Sequence, residues 1–338
     1  MAASTSPLLM RILAASVSVS NRAATIIRDI MKKGELGIVE KGKNDFQTEA
    51  DREAQRCIVA SLHRQFPKVL IQGEESLDPA ESIADDLIET EQSPEVLKQT
   101  CPPNLLNVKD EDIVIWVDPV DGTAEYTQAL ATNKPGNTGV AVYPPTSLLD
   151  HVTVLIGVSV NGIATGGVIH QPYYNYKAGP DAKLGRCIWG MVGLGAFGFE
   201  RQTPPEGLNI ITTTRSHSNR AVTEAVESCQ PTEVVRVGGA GHKVLLLIEG
   251  KAHAYVFASK GCKKWDTCAP EAVLHAVGGR LTDLLGKPIP YGANVKFPNA
   301  SGVLATVANH DWYVSQIPDD IREMFVPERE QAPPPPAL

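Results

Sequence analysis

The densest chemistry in the sequence is Trp116-Val-Asp118-Pro119-Val120-Asp121-Gly122-Thr123, where an apolar run delivers two carboxylates into a turn. Pro119 fixes φ between the acids, and Gly122 permits close backbone approach. Two readings stay open on these residues alone. The acids could satisfy nearby N–H donors in an Asx-type turn. They could equally be hard oxygen ligands for Mg²⁺, which favours carboxylate, water and substrate phosphate. The EF-hand pattern with its distal Glu is absent. As a strand-end acid, Asp121 is expected to be exposed.

Other acids have the same two-sided character. Glu74-Glu75 follow the apolar run Val69–Gly73 and read as solvated residues or as ligands. Asp51 lies seven residues before Ile58, within ~20° of that side chain on an ideal helix. It therefore shares a stripe with Ala54 and Leu62, and a carboxylate facing the packed side needs a partner. Asp266 opens a helix containing Ala272, Val273, Ala276 and Val277, as a ligand or as an N-cap.

A second group suits a phosphate. Thr214 and His217 precede a predicted helix, where free N–H groups and the positive dipole end favour an anion. Gly238, Gly239 and Gly241 offer unobstructed amides, and Lys243 adds a point charge. Singly, each has a plainer alternative: a surface His, a Ser216 cap, turn glycines, a solvated Lys. The G-G-x-G pattern is too short for a dinucleotide fingerprint.

The elements that must position these residues alternate, as in an α/β chain. An amphipathic helix is predicted over 46–66 and a short strand over 69–73, followed by an acidic, proline-bearing surface excursion over 76–112. Strands are predicted at 113–117 and 152–160, with Asn161-Gly162 turning into a further strand at 163–169. Strands at 209–214, 234–237 and 254–258 then alternate with helices at 219–229 and 243–249. Residues 131–148 read as an exposed insertion, and Glu328 to Leu338, with Pro333 to Pro336 in a row, as an extended tail.

The first thirty residues admit two readings. Arg11, Arg22, Arg28, several serines and no acid before Asp29 have the composition of an organelle transit peptide. Leu9, Ile12, Leu13, Val17, Ala24, Ile27, Ile30 and Met31 recur instead as one buried face of a structural helix stopping at Gly34, which is the reading preferred. Arg11 lies too early for a secretory apolar core.

Charge limits the partners. With 31 Lys plus Arg against 39 acids, the net charge is −8, so the surface repels nucleic-acid polymers and acidic membranes. No run of ~18 apolar residues suggests a membrane span. Six cysteines without a C-x-x-C motif point to a reducing compartment, the cytoplasm being the simplest.

Taken together, Asp51 in Thr48-Glu-Ala-Asp, Gly73-Glu74-Glu75, Asp118 to Thr123 and Trp265-Asp266 resemble the lithium-inhibited, metal-dependent sugar-phosphatase superfamily of inositol monophosphatase and fructose-1,6-bisphosphatase. The runs Gln171 to Tyr176, Ile210 to Asn219, Val237 to Gly241 and Gly261 to Glu271 resemble its animal 3′(2′),5′-bisphosphate nucleotidase branch. The resemblance spans about residues 8–326, apart from the insertion. It implies an αβαβα sandwich in which lobe 1–175 holds the metals, lobe 176–326 binds nucleotide and contributes Asp266, and 327–338 is a disordered tail.

Carried over position by position, the resemblance implies two or three Mg²⁺ ions on Glu74, Asp118, the Val120 carbonyl, Asp121 and Asp266. Asp51 and Thr123 would orient and deprotonate the attacking water. Thr214, His217, Gly239 and Lys243 would bind the nucleotide. The implied activity is removal of the 3′-phosphate of adenosine 3′,5′-bisphosphate and of its 5′-phosphosulfate analogue, with inositol 1,4-bisphosphate as a second candidate, by a monomer or weak homo-oligomer. Rival readings are an inositol phosphate phosphatase with the same metals and a non-catalytic adenosine bisphosphate binder. Two departures bear on activity: Ala124 stands where those nucleotidases carry a basic residue, and the 131–148 insertion adjoins the site.

Overall fold

The apolar period of the first segment forms α1 (Leu8–Lys33), which buries Leu9, Ile12, Leu13, Ile27 and Met31 and ends on Gly34 in the left-handed region. Ser16 and Ser20 are buried on the same helix and return their hydroxyls to the carbonyls of Ile12 and Val17. The computed structural model describes residues 6–34, 36–42, 45–77, 84–132, 146–179 and 181–326. The expected tail lies outside them, as do residues 133–145 of the expected insertion.

A short hairpin, β1 (Val39–Gly42) and β2 (Asp45–Gln47), precedes α2 (Glu49–Gln65). Phe46, expected inside the helix, sits in β2. Thr48 is the N-cap, and its reciprocal bonds with Asp51 form a capping box that fixes the start of α2. Next come β3 (Leu70–Gly73), α3 (Pro94–Leu97) and β4 (Ile113–Asp121). The region read as a surface excursion is partly core: Val96, Cys101 and Leu105 are buried, and the Ser93 N–H donates to the Ala14 carbonyl of α1.

Strand β4 continues four residues past its expected end, to Asp121. It is followed by α4 (Thr123–Thr132), β5 (Thr153–Val160), β6 (Ile163–Gln171), β7 (Arg186–Met191) and β8 (Gly195–Phe197). Among the described residues these strands make a six-stranded sheet in the order β3-β4-β5-β6-β7-β8, with β3 parallel to β4 and the other pairs antiparallel. Sheet membership therefore changes after Phe197, not at the expected division after residue 175.

The remaining chain forms β9 (Ile210–Thr214), α5 (Arg220–Ser228), β10 (Glu233–Val237), α6 (Ala240–Ile248), β11 (Ala254–Phe257), α7 (Lys264–Ala276), β12 (Arg280–Thr282), β13 (Val303–Thr306), α8 (His310–Gln316) and α9 (Asp319–Phe325). Their sheet has the order β10-β9-β11-β13-β12. The crossovers β9-α5-β10 and β10-α6-β11 run in opposite directions along it. Right-handed crossovers then place α5 and α6 on opposite faces.

Helices α1 and α2 cover one face of the six-stranded sheet, while α7 packs on β4, β5, β6 and β7 from the other side. Alternation along β4 serves both cores: Ile113, Ile115 and Val117 face α1 and α2, and Val114 and Trp116 join the core between the sheets. The layers run α1/α2, sheet, α6/α7, sheet, α5/α8, an αβαβα sandwich. No helix among the described residues is long and apolar enough to cross a membrane.

Candidate active site

The acids converge where β4 ends. The pairing of β4 with β5 shifts register between Asp118 and Asp121, so Pro119 and Val120 bulge and both flanking carboxylates reach one place. Asp118 is buried and accepts from the Val120 N–H at 3.1 Å. Asp121 is also buried, contrary to expectation, because α6 starts on top of it. Its oxygens accept from the N–H groups of Ala240 and Gly241, each at 2.8 Å, and from the Thr153 hydroxyl at 2.6 Å. A carboxylate has about four acceptor sites, so Asp121 retains roughly one for a further partner.

Asp266, in the first turn of α7, completes the group. Asp266 is not the N-cap expected of it: Lys263 holds that position, and Asp266, three residues on, accepts the Lys263 N–H with its Oδ2 at 2.5 Å. Asp118, Asp121 and Asp266 can each offer an oxygen within 4.8 Å of the others. Glu74 lies just beyond β3, where its N–H donates to the Val117 carbonyl at 3.0 Å, and its charge acts on Asp118 and Asp266. Gln55 of α2 brackets this turn by exchanging two bonds with the Glu75 backbone, at 2.6 and 2.8 Å.

Electrostatics tests whether a cation fits. Burial raises the pKa of Asp118, with repulsion from Glu74, Asp121 and Asp266 adding to it, and the Asp118 and Asp266 carboxyls are in hydrogen-bond contact. Asp266 is pushed up to about 7 by burial and then by Glu74 and Asp121. Such a group cannot stay fully ionised without counter-charge, and the nearby Lys243 offsets only part of it. Buried, convergent, hard-oxygen donors of this kind fit divalent cations.

The sign of the pH effect follows. Asp51 and Asp266 have folded-state values of about 7 against 3.8 for the free group. Their contribution to stability is complete below 3.8 and is lost as pH rises through 7. Binding of a cation to the ionised form reverses that loss. Mg²⁺ should therefore raise the melting temperature more at pH 8 than at pH 5, as calorimetry with Mg²⁺ or with a chelator will show. An equal rise at both pH values would mean that Asp266 does not hold the ion.

Beside the acids, Thr123 opens α4. Its hydroxyl lies 3.3 Å from Asp51 Oδ1 and 2.9 Å from the Val120 carbonyl. Asp51 faces the packed side of α2, and its Oδ2 accepts from the Thr48 N–H at 2.7 Å and hydroxyl at 2.5 Å. Burial pushes its pKa up to about 7 despite those bonds.

A cavity of about 320 Å³ opens over these groups. Glu74, Asp121 and Asp266 line it together with Thr214, His217, Gly239 and Lys243. The second set departs from expectation in detail. The amides of Ala240 and Gly241 are taken by Asp121, and that of Gly238 by His151 Nδ1 at 3.3 Å. Lys243 is buried and donates to the Gly239 carbonyl at 2.8 Å, with its ammonium 5.4 Å from the Tyr255 ring centre. His217 is exposed on the loop before α5, whose N-cap is Asn219.

The sequence reading missed Thr153, Glu125 and Arg215. Thr153 binds Asp121, and Arg215 pairs with Glu125 of α4. Neither partnership leaves a local signal, because each joins residues far apart in the chain.

The sequence matches the inositol monophosphatase family over residues 9–322. This chain belongs to that family. It is 54% identical over 326 residues to the Homo sapiens 3′(2′),5′-bisphosphate nucleotidase 1, covering 96% of this chain and 100% of the relative. The Rattus norvegicus protein of that name is 52% identical over the same shares. Among solved structures, the extragenic suppressor protein suhB of Bartonella henselae has TM-score 0.61 at 18% identity, over 91% of this chain and 98% of that one. The Thermotoga maritima IMPase has TM-score 0.60 at 20% identity, over 91% and 97%. These two likenesses carry the fold. Metal dependence is the rule in the inositol monophosphatase family, and the acidic cluster is the place in this member where it would be met.

Proposed function

We propose that this protein hydrolyses the 3′-phosphate of adenosine 3′,5′-bisphosphate to give AMP, and converts 3′-phosphoadenosine 5′-phosphosulfate to adenosine 5′-phosphosulfate. Inositol 1,4-bisphosphate is a second candidate substrate. The observation that carries this reading is a single cavity lined both by Glu74, Asp121 and Asp266 and by Thr214, His217, Gly239 and Lys243. Support also comes from relatives more than half identical that bear the nucleotidase name.

Glu74, Asp118, the Val120 carbonyl, Asp121 and Asp266 would hold two or three Mg²⁺ ions. When bound, these supply neutralisation of the phosphoryl oxygens and a water of lowered pKa. The chain's own residues do the rest. Thr123 and Asp51 orient the water, and Asp51 takes its proton, as a base with pKa near working pH does efficiently. The new bond joins the water oxygen to phosphorus, the bond from phosphorus to O3′ breaks, and a proton goes to O3′. No protein nucleophile is required. Six free cysteines favour a cytoplasmic site of action, as a monomer or weak homo-oligomer.

Phosphate release from adenosine 3′,5′-bisphosphate, adenosine 3′-monophosphate and inositol 1,4-bisphosphate, each with and without Mg²⁺, tests the reading. Preference for the inositol ester would favour the inositol phosphatase alternative, and binding without turnover the non-catalytic one. Lys243→Ala should lower kcat/KM on adenosine 3′,5′-bisphosphate roughly tenfold to a hundredfold, the loss of a charge-assisted contact. Because Lys243 also faces Asp121, a smaller loss is expected on the 3′-monophosphate. Equal losses on both would leave Lys243 only a counter-charge to the acids.

A further inference from the structure

We propose that Glu125 and Arg215 form a clasp that positions the substrate-recognising loops against the catalytic turn. The proposal rests on the nucleotidase reading for the identity of the substrate, and on geometry alone for the clasp.

Glu125 is two residues beyond Thr123, in the first turn of α4, and only 2% exposed. A buried carboxylate needs a partner, and Arg215 supplies it from the loop that follows β9. Both Nε and Nη2 of Arg215 donate to Glu125 Oε1, at 3.1 and 2.8 Å, and Nη2 also reaches Gln128 Oε1 of α4 at 2.9 Å. In the structure its guanidinium is committed to α4.

The clasp also bears on the glycine loop. The Glu125 carboxyl carbon lies 2.1 Å from where a Cβ on Gly238 would be, so the Gly238 backbone rests directly on that carboxylate. From a third direction His151 Nδ1 accepts the Gly238 N–H. The Arg215 N–H, in turn, donates to the Val237 carbonyl at 3.2 Å. One ion pair thus ties three segments together: the helix headed by Thr123, the loop with Thr214 and His217, and the loop with Gly239. Asp118 and Asp266 are held by bonds that do not involve it. Glu125 and Arg215 are therefore positioning residues for the substrate.

Two readouts test this on the full-length protein. In hydrogen exchange, Arg215→Ala should speed exchange in peptides covering 215–219 and 236–241 and leave 113–121 unchanged. In kinetics with saturating Mg²⁺, Arg215→Ala and Glu125→Gln should raise KM for adenosine 3′,5′-bisphosphate about tenfold or more, with kcat within about threefold. p-Nitrophenyl phosphate, which lacks the nucleotide, should be hydrolysed by the variants within about threefold of the parent. Arg215→Lys, which keeps the charge, should recover most of the KM. Unchanged exchange at 215–219 and 236–241, or equal losses on the two esters, would overturn the clasp. A parent protein that releases no phosphate from adenosine 3′,5′-bisphosphate would sink the nucleotidase reading, while the exchange comparison would still decide the clasp.

Discussion

Asp266→Asn should lower turnover by about three orders of magnitude while the cation-free protein melts no lower than its parent. The first half follows from removing a charge that supports the cations, worth about 4 kcal/mol of transition-state stabilisation. The second half follows from local geometry. An amide oxygen can still accept from the Lys263 N–H, as Oδ2 does at 2.5 Å. The amide nitrogen can donate to Asp118, where two carboxyls otherwise press together. Asp121→Asn should behave differently. Its carboxylate receives bonds from Ala240, Gly241 and Thr153, and a replacement NH₂ would face N–H donors. A buried donor left unmatched costs about 1–3 kcal/mol, so this variant should lose both activity and melting temperature. Melts in chelator beside phosphate release in Mg²⁺ separate the two. Near-normal turnover of Asp266→Asn would reduce Asp266 to a helix cap.

Asp51→Asn is expected to lower kcat by about 10²- to 10⁴-fold, the usual loss for a general base, with KM for nucleotide and for Mg²⁺ little changed. The side-chain oxygen facing Thr48 can remain an acceptor, so the capping box survives. The new NH₂ faces the Thr123 hydroxyl, which still donates to the Val120 carbonyl. Only the proton acceptor is lost. Steady-state kinetics across pH will check it: an unchanged kcat would leave Asp51 as nothing more than the box that starts α2.

Most of the acids were readable from sequence because each follows an apolar run that must be a buried strand or helix face. Asp118 after Ile113 to Val117, and Asp51 in step with Ile58, are of this kind. What stayed hidden depends on contacts between distant segments. Asp121 looks like an exposed turn acid until the start of α6 is set upon it, and Lys243 looks solvated until Gly239 and Tyr255 close around it. Glu125 and Arg215 are ordinary surface residues in sequence. The fold followed the same division. Alternating strands and helices disclosed the layers, but β7 and β8, beyond the expected division after residue 175, join the first sheet. Their pairing with β6 is a long-range event that no local pattern encodes.

Helix α7 has a consequence for the order in which the protein becomes competent. It lies against β5 and β6 at Gly157 and Gly167, where a Cβ would come within 2.6 Å and 2.5 Å of the Ala269 backbone. That contact leaves no room for a side chain on either strand, so the helix seats against bare sheet. Asp266 is thereby fixed to the sheet that carries Asp118 and Asp121, although nearly 150 residues of chain separate it from them. A ribosome must deliver residues 264–276 before the acidic cluster has its third member. Until then the emerging chain has two of the three clustered acids and a sheet open on one face, so the cluster is complete only when the last quarter of the polypeptide docks.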